Sequence, residues 1–305
     1  MIKEGKVLQG YRVVERLGGA GKSEVGRGVK IAGGQTVFIK RLMSPKYPAP
    51  GIEAARAEKG KQVCVRFEEQ QRDIMKRLES FTNGSGHLVK PIDFFRIDLT
   101  YYKVYPFVVS DDLASVRGHS AAGKAVFLKT LALALRELHV RGIVHCDLKP
   151  DNVLVQRTKA GPIAKLIDFD ESFVAGKPPE RGMSGDPLWF SPEREQLEDE
   201  LVAPTDVGLA SDIFTFVLVA HSLLHGSLPE VTGSTRSGSV AERVIAGGEV
   251  RLADLPGAPR EFNDLARKAT AAAPADRPTI EQLCQALGLP PSERSRVISS
   301  MPTPR

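Results

Sequence analysis

The chain has 305 residues, of which 42% are hydrophobic and 26% charged, with a formal net charge of +5. That balance suits a globular protein with a large core; its dispersed basic residues argue against a nucleic-acid partner, and no apolar run nears the roughly 20 residues that span a membrane. Cys64, Cys146 and Cys284 are too far apart for a disulfide framework or a zinc site, and the N-terminal MIKEGKVLQG lacks the apolar stretch of a signal peptide, so a cytoplasmic location is expected.

In chain order, YRVVERL predicts a strand that runs into the glycine-crowded LGGAGKSEVGRG, Leu17 to Gly28. Gly21, Lys22 and Ser23 match the second half of the P-loop pattern G-x-x-x-x-G-K-[ST]. The first glycine's position, however, is Arg16, and the residues from Val25 onward read as strand, turn, strand instead of helix. The alternative is a glycine-rich hairpin that covers phosphate, L-G-x-G-x-x-G-x-V. Leu17, Gly18 and Val25 conform to it, while Ala20 and Ser23 take the later glycine positions with Gly21 between them.

TVFIKRL, LVKPIDFFRI and TYYKVYPFVV predict further strands, interrupted by one helix from Arg66 to Leu78. Beyond Asp111 the pattern turns helical: AVFLKTLALALRELHVRG and SDIFTFVLVAHSLLHG carry the near-continuous apolar faces of buried helices. The predicted organisation is a strand-rich part over 1–107, a helical part over 108–288 and a flexible Ser/Pro/Arg-rich tail over 289–305, without internal repeats.

The chemistry concentrates in IVHCDLKPDNVLV, Ile143 to Val155, and AKLIDFDES, Ala164 to Ser172. Asp147, Asn152 and Asp168 offer a base and two oxygen ligands for a hard cation such as Mg2+. Lys149, two residues from Asp147 on an extended stretch, projects to the same side. Phosphoryl transfer needs this equipment: an oriented acceptor hydroxyl, charge offset on the moving phosphate, and metal held at the phosphates.

These motifs, in this order, resemble the eukaryotic-type (Hanks-type) Ser/Thr protein kinases over about residues 11–288, and the compact Ala/Gly/Arg-rich style is that of a bacterial member. The resemblance implies an α+β, bilobal fold: an antiparallel β-sheet N-lobe with one helix and a mainly α-helical C-lobe. It implies ATP and Mg2+ as cofactors and a protein substrate with a Ser/Thr acceptor. With no sensor, transmembrane or receptor region read beside the kinase-like part, the input is expected from a regulatory partner protein, an operon-style companion or substrate availability. Asp147 and Lys149 resemble the catalytic aspartate and lysine of DLKPxN. Asn152 and Asp168 resemble the metal-binding pair, Lys40 in VFIK the lysine that holds the nucleotide phosphates, and Gly18, Gly21 and Val25 the phosphate hairpin. GDPLWFSPE resembles the end of an activation loop, Asp212 the aspartate that ties down the catalytic loop, and Arg277 the partner of Glu193.

Several residues depart from the family pattern. Phe38 takes a small-residue position above the adenine, Asp170 replaces the glycine of D-F-G, and Cys146 replaces the arginine that receives a loop phosphate. Activity is therefore expected not to depend on such a phosphate, and Cys146 to pack as a small apolar residue. Asp186 replaces a threonine and is expected to pair with Lys149 or to block the acceptor. Alignment puts Gln70 or Gln71 where a helix glutamate pairs with the strand lysine; a shift of one turn brings Glu68 or Glu69 there, and Glu68 is the expected partner of Lys40. The altered residues Ala20, Ser23, Phe38, Asp170 and Asp186 together support a pseudokinase, a nucleotide-binding or scaffolding module, as the alternative reading, and a small-molecule kinase is the third.

Overall fold

The computed structural model describes residues 1–19, 23–79, 86–179 and 182–292. It divides into two compact units, Met1–Ser80 with Val89–Val109, and Phe81–Leu88 with Ser110–Arg305.

The first unit is a six-stranded antiparallel sheet, β1 (Val7–Leu8), β2 (Tyr11–Gly18), β3 (Ser23–Lys30), β4 (Thr36–Leu42), β5 (Asp93–Ile97) and β6 (Thr100–Pro106), in the order β1-β2-β3-β4-β6-β5. Alternation sorts β4 into two faces. Val37 and Ile39 join Leu8, Val13 and Val104 in one apolar cluster. Leu42, on the other face, packs with Cys64 and Phe67 of the helix α1 (Ala54–Glu79). That helix starts twelve residues before the predicted Arg66. Of its residues preceding Phe67 only Cys64 is buried, so no apolar stripe announces the early turns; Ala, Lys, Glu and Gln extend them by intrinsic propensity. The strand predicted from Leu88 begins only at Asp93, because Pro91 has no N–H to give a ladder.

The second unit is mainly helical, as the sequence predicts. Its elements are α2 (Ala121–His139), β7 (Ile143–Val144), β8 (Val153–Thr158), β9 (Gly161–Leu166), β10 (Phe173–Val174), α3 (Pro192–Glu198), α4 (Leu209–His225), β11 (Glu230–Thr232), α5 (Val240–Ile245), β12 (Glu249–Arg251), α6 (Arg260–Lys268) and α7 (Ile280–Ala286). Ser120 caps α2 by accepting the Gly123 N–H at 3.3 Å. Thr130, on the buried side of α2, accepts the Ala164 N–H of β9 at 2.8 Å, which fixes that hairpin on the helix. α4 is buried on nearly every side and ends at Gly226, whose φ of +92° is a left-handed stop. None of the helices in the described residues is long and apolar enough to cross a membrane.

Glu193, at the start of α3, and Arg277 form the buried pair the sequence predicts. Two parallel N–H···O bonds of 2.8 Å join them, and Ser211 and the carbonyls of Ala210, Ala271 and Ala272 take up the remaining valences. Replacing Arg277 by Met strands a buried carboxylate, and removing one partner of such a pair typically costs about 3–5 kcal/mol. Urea unfolding of Arg277→Met is expected to show a loss of that order; a loss below about 1 kcal/mol, the range of exposed pairs, would mean the pair does not brace this unit.

Candidate active site

The loop that carries Asp147 leaves β7 at Val144 and turns on Cys146, whose φ is +66°, an uncommon conformation for a residue with a side chain. The turn brings two successive N–H groups onto one carboxylate: His145 N–H donates to Asp212 Oδ2 at 2.7 Å and Cys146 N–H to Asp212 Oδ1 at 3.0 Å. His139 Nε2 lies 3.1 Å from Asp212 Oδ2. Asp212 therefore ties down the loop, as expected, from the first turn of α4.

The loop then presents its polar side chains together. Lys149 Nζ sits 2.8 Å from Asp147 Oδ2, and Asn152 Nδ2 donates to the backbone oxygen of Asp147 at 2.7 Å and to its Oδ2 at 3.1 Å. Asp147 Oδ2 thus takes both contacts, leaving Oδ1 as the oxygen that can receive an incoming proton. His145 shapes the same turn. Its Nδ1 accepts the Asp147 N–H at 3.3 Å, so the proton resides on Nε2, which donates to the Ile167 oxygen at 3.2 Å.

Through Ile167 the loop meets the segment that follows β9 and carries Asp168: Ile167 N–H donates to the Asn152 oxygen at 3.1 Å, and the buried Phe169 ring stands edge-on to His145 at 5.6 Å. Asp168 has φ +64°, a left-handed conformation that aspartate tolerates better than most residues. Because Asn152 uses its amide nitrogen on Asp147, its carbonyl Oδ1 is the oxygen it can offer a cation. That oxygen and the Asp168 carboxylate form a hard donor set. Among the described residues no group of three or more His, Cys, Asp or Glu builds a dedicated metal cage. Two protein oxygens, completed by phosphate oxygens and water, fit the way Mg2+ is bound.

In the first unit, three of the predicted nucleotide residues fall on one lateral row. Gly18 pairs with Val25 across β2 and β3, and Val25 pairs with Lys40 across β3 and β4. The hairpin leaves β2 through Gly19, whose φ is +144° and where an added Cβ would come 2.7 Å from the Glu24 Cα, so glycine is required. Gly21, with Ala20 and Lys22, lies outside the described residues. Phe38 pairs with Tyr105 across β4 and β6, and the two rings meet edge-on at 6.4 Å.

Two expectations are corrected. Glu68 does not serve Lys40: its carboxylate accepts the Tyr101 hydroxyl at 2.8 Å and lies 3.9 Å from Arg96. The buried stripe of α1 runs Cys64, Phe67, Gln71, Ile74, Leu78, so the polar side chain turned inward on that stripe is Gln71, and Glu68 is rotated off it. Nor does Asp186 hold Lys149. It accepts the Leu188 N–H at 3.1 Å and caps the short turn Pro187–Trp189, while Lys149 pairs with Asp147. His139, the third group on Asp212, is not legible in the sequence because a histidine ending an apolar helix carries no signal of its own.

Cys146 packs as expected, its sulfur 3.7 Å from the Met183 sulfur. Burial pushes its thiol well above the ordinary value, with the Asp212 carboxylate adding to the rise. Burial also raises Cys64, and pushes Cys284 to about 12. All three thiols therefore stay protonated in the folded protein at about pH 8, where free cysteine is partly thiolate. Alkylation of native protein at that pH is expected to run about a hundredfold slower than in denaturant; a fast-labelling native cysteine would contradict the packing of these sites.

Comparison with known proteins agrees with this geometry. The chain matches the protein kinase domain family over residues 11–287. It is 28% identical to the serine/threonine-protein kinase pkn2 of Myxococcus xanthus over 231 residues, 73% of this chain and 25% of that one. It is 30% identical to the serine/threonine-protein kinase Pkn1 of the same organism over 225 residues, 72% of this chain and 29% of that one. Serine/threonine-protein kinase D of Synechocystis is 26% identical over 166 residues, 54% of this chain and 30% of that one. The matched region spans only 25–30% of the length of these relatives. With the family match covering nearly the whole chain and the catalytic-loop residues gathered as the motif requires, this chain belongs to the protein kinase domain family.

Proposed function

We propose that the chain is a serine/threonine protein kinase that transfers the γ-phosphate of ATP, with Mg2+, to a Ser or Thr hydroxyl of a protein. Protein kinases in general use ATP and Mg2+ and act on proteins. The observation that carries the reading is the Asp147 carboxylate, held by Lys149 and Asn152 on a loop whose backbone is pinned by Asp212.

In this reading Asp147 accepts and orients the acceptor hydroxyl through Oδ1. Lys149 offsets charge on the moving phosphoryl group, and Lys40 holds the α- and β-phosphates beneath the hairpin of Gly18, Gly21 and Val25. Asn152 and Asp168 hold Mg2+, which when bound neutralises charge developing on the phosphate oxygens. The Lys of DLKPDN favours a Ser/Thr acceptor over Tyr. A cytoplasmic location and a regulatory partner protein belong to the same reading. The Phe38–Tyr105 contact and the capping role of Asp186 give two of the five altered residues behind the pseudokinase alternative structural work to do.

Incubation with Mg2+ and γ-labelled ATP, alone and with a basic protein, tests the proposal. Label on Ser or Thr is expected, and Asp147→Asn should reduce it by about 10²–10⁴-fold, the usual contribution of a positioned base, with ATP binding retained. Lys40→Ala should weaken ATP binding while Lys22→Ala leaves it unchanged. Label that survives in Asp147→Asn, or that appears on a metabolite and never on protein, would sink the reading.

A further inference from the structure

The segment between Asp170 and Ser191 is where kinases of this kind take up a regulatory phosphate, and here the arginine that would receive it is Cys146. The structure holds the stretch of this segment from Gly182 onward by other means. Arg194 of α3, with only 4% of its side chain exposed, donates from Nη2 to the Met183 oxygen at 2.6 Å. Its guanidinium lies over the Phe190 ring at 4.3 Å, and its other arm pairs with Glu198. The next residue is tied from the opposite direction: Glu171, directly after DFD, accepts the Ser184 N–H at 3.2 Å. Gly185 then passes so close to Phe190 that an added Cβ would sit 2.5 Å from that ring, and Asp186 caps the turn that comes next. Thr215 of α4 completes the run by donating to the Trp189 oxygen at 3.0 Å.

Both charged ties address backbone atoms, one a carbonyl and one an N–H, so they form without any phosphate on the segment's side chains. Arg194 itself is anchored, since its neighbour Glu193 is locked to Arg277. We propose that Arg194 and Glu171 are the positioning residues of this segment, holding Met183 and Ser184 in place of a loop phosphate. The same contacts set the sign of regulation. A phosphate on Ser184 would confront the Glu171 carboxylate that holds the same residue's N–H, and Arg194 is already engaged, so modification there loosens the segment. The consequence for catalysis rests on the kinase reading above; the order of the segment does not.

The test is hydrogen exchange of peptides covering residues 182–190 in phosphatase-treated full chain, compared among the parent, Arg194→Met, Arg194→Lys, Glu171→Met and Ser184→Glu. Removing one net hydrogen bond corresponds to about tenfold faster opening. Arg194→Met and Glu171→Met, which leave no donor or acceptor at these positions, are each expected to speed exchange in this segment by about that factor, with α4 peptides unchanged, and Arg194→Lys, which keeps a cationic donor without the guanidinium fork, to fall between. Ser184→Glu is expected to speed it as well. In parallel, Arg194→Met should raise KM for a protein substrate by about fivefold or more and leave KM for ATP unchanged, a split that general destabilisation would not produce. Parent-like exchange in Arg194→Lys, Arg194→Met and Glu171→Met, or a phosphatase-treated parent that exchanges as fast as Arg194→Met, would overturn the proposal. Should Arg194→Met fail to fold, Arg194→Lys and Glu171→Met decide it alone. A parent that transfers no phosphate at all would count against the kinase reading, and the exchange comparison would still decide this one.

Discussion

Asp212 is a carboxylate with 2% of its surface exposed, placed in the first turn of an apolar helix. An ionised group in such a place is tolerated only when its lone pairs are filled, since desolvation without compensation costs several kcal/mol. Asp212 is filled by two successive loop N–H groups and faces His139. The dependence is mutual: those N–H groups can converge on one carboxylate only because Cys146 adopts a positive φ, and that conformation persists only because the carboxylate is there. Everything downstream on the loop inherits its position from this contact. Asp147 emerges from the turn, and Lys149 and Asn152 close on it two and five residues later.

A buried ion pair serves the next segment of the chain in the same way. Glu193 and Arg277 are 84 positions apart in sequence, yet Arg277 makes bonds to both Glu193 oxygens and to three backbone carbonyls. The amino end of α3 is thereby fixed, and with it Arg194, the adjacent residue. One anchor sets the loop that carries Asp147, the other sets the helix that steadies the segment after DFD. Each uses buried charge fully matched by hydrogen bonds, the arrangement in which burial confers definite geometry as well as energy.

The first unit uses sheet register where the second uses charge. Antiparallel pairing places Gly18, Val25 and Lys40 side by side, and alternation puts Val37 and Ile39 on the opposite face in an apolar cluster. A one-residue slip would exchange the faces, burying Lys40 among aliphatic side chains. The same core thus specifies which lysine is presented. On α1 the buried stripe, with a spacing of three and four residues, turns Gln71 toward the interior and leaves Glu68 to Tyr101 and Arg96.

Local chemistry made much of this protein legible in the sequence alone. Strand alternation and the apolar faces of α2 and α4 report the elements, and the order of HCDLKPDN, DFD, SPE and PADRP carries the family resemblance that implied the fold class and the residues gathered around Asp147, because each signal is confined to a few neighbouring positions. The pairing of Glu193 with Arg277 was readable only through the family pattern. Tertiary structure alone decided the rest. Whether Glu68 or Gln71 faces inward depends on the phase of a helix whose first turns bury almost nothing, so no apolar period reports it. Asp186 became a cap instead of a partner for Lys149 because the chain turns directly after it. The roles of His139, Glu171 and Arg194 arise from contacts with residues 73, 13 and 11 positions away. A side chain's type states which bonds it can make; which group stands within reach is settled only when the chain has packed.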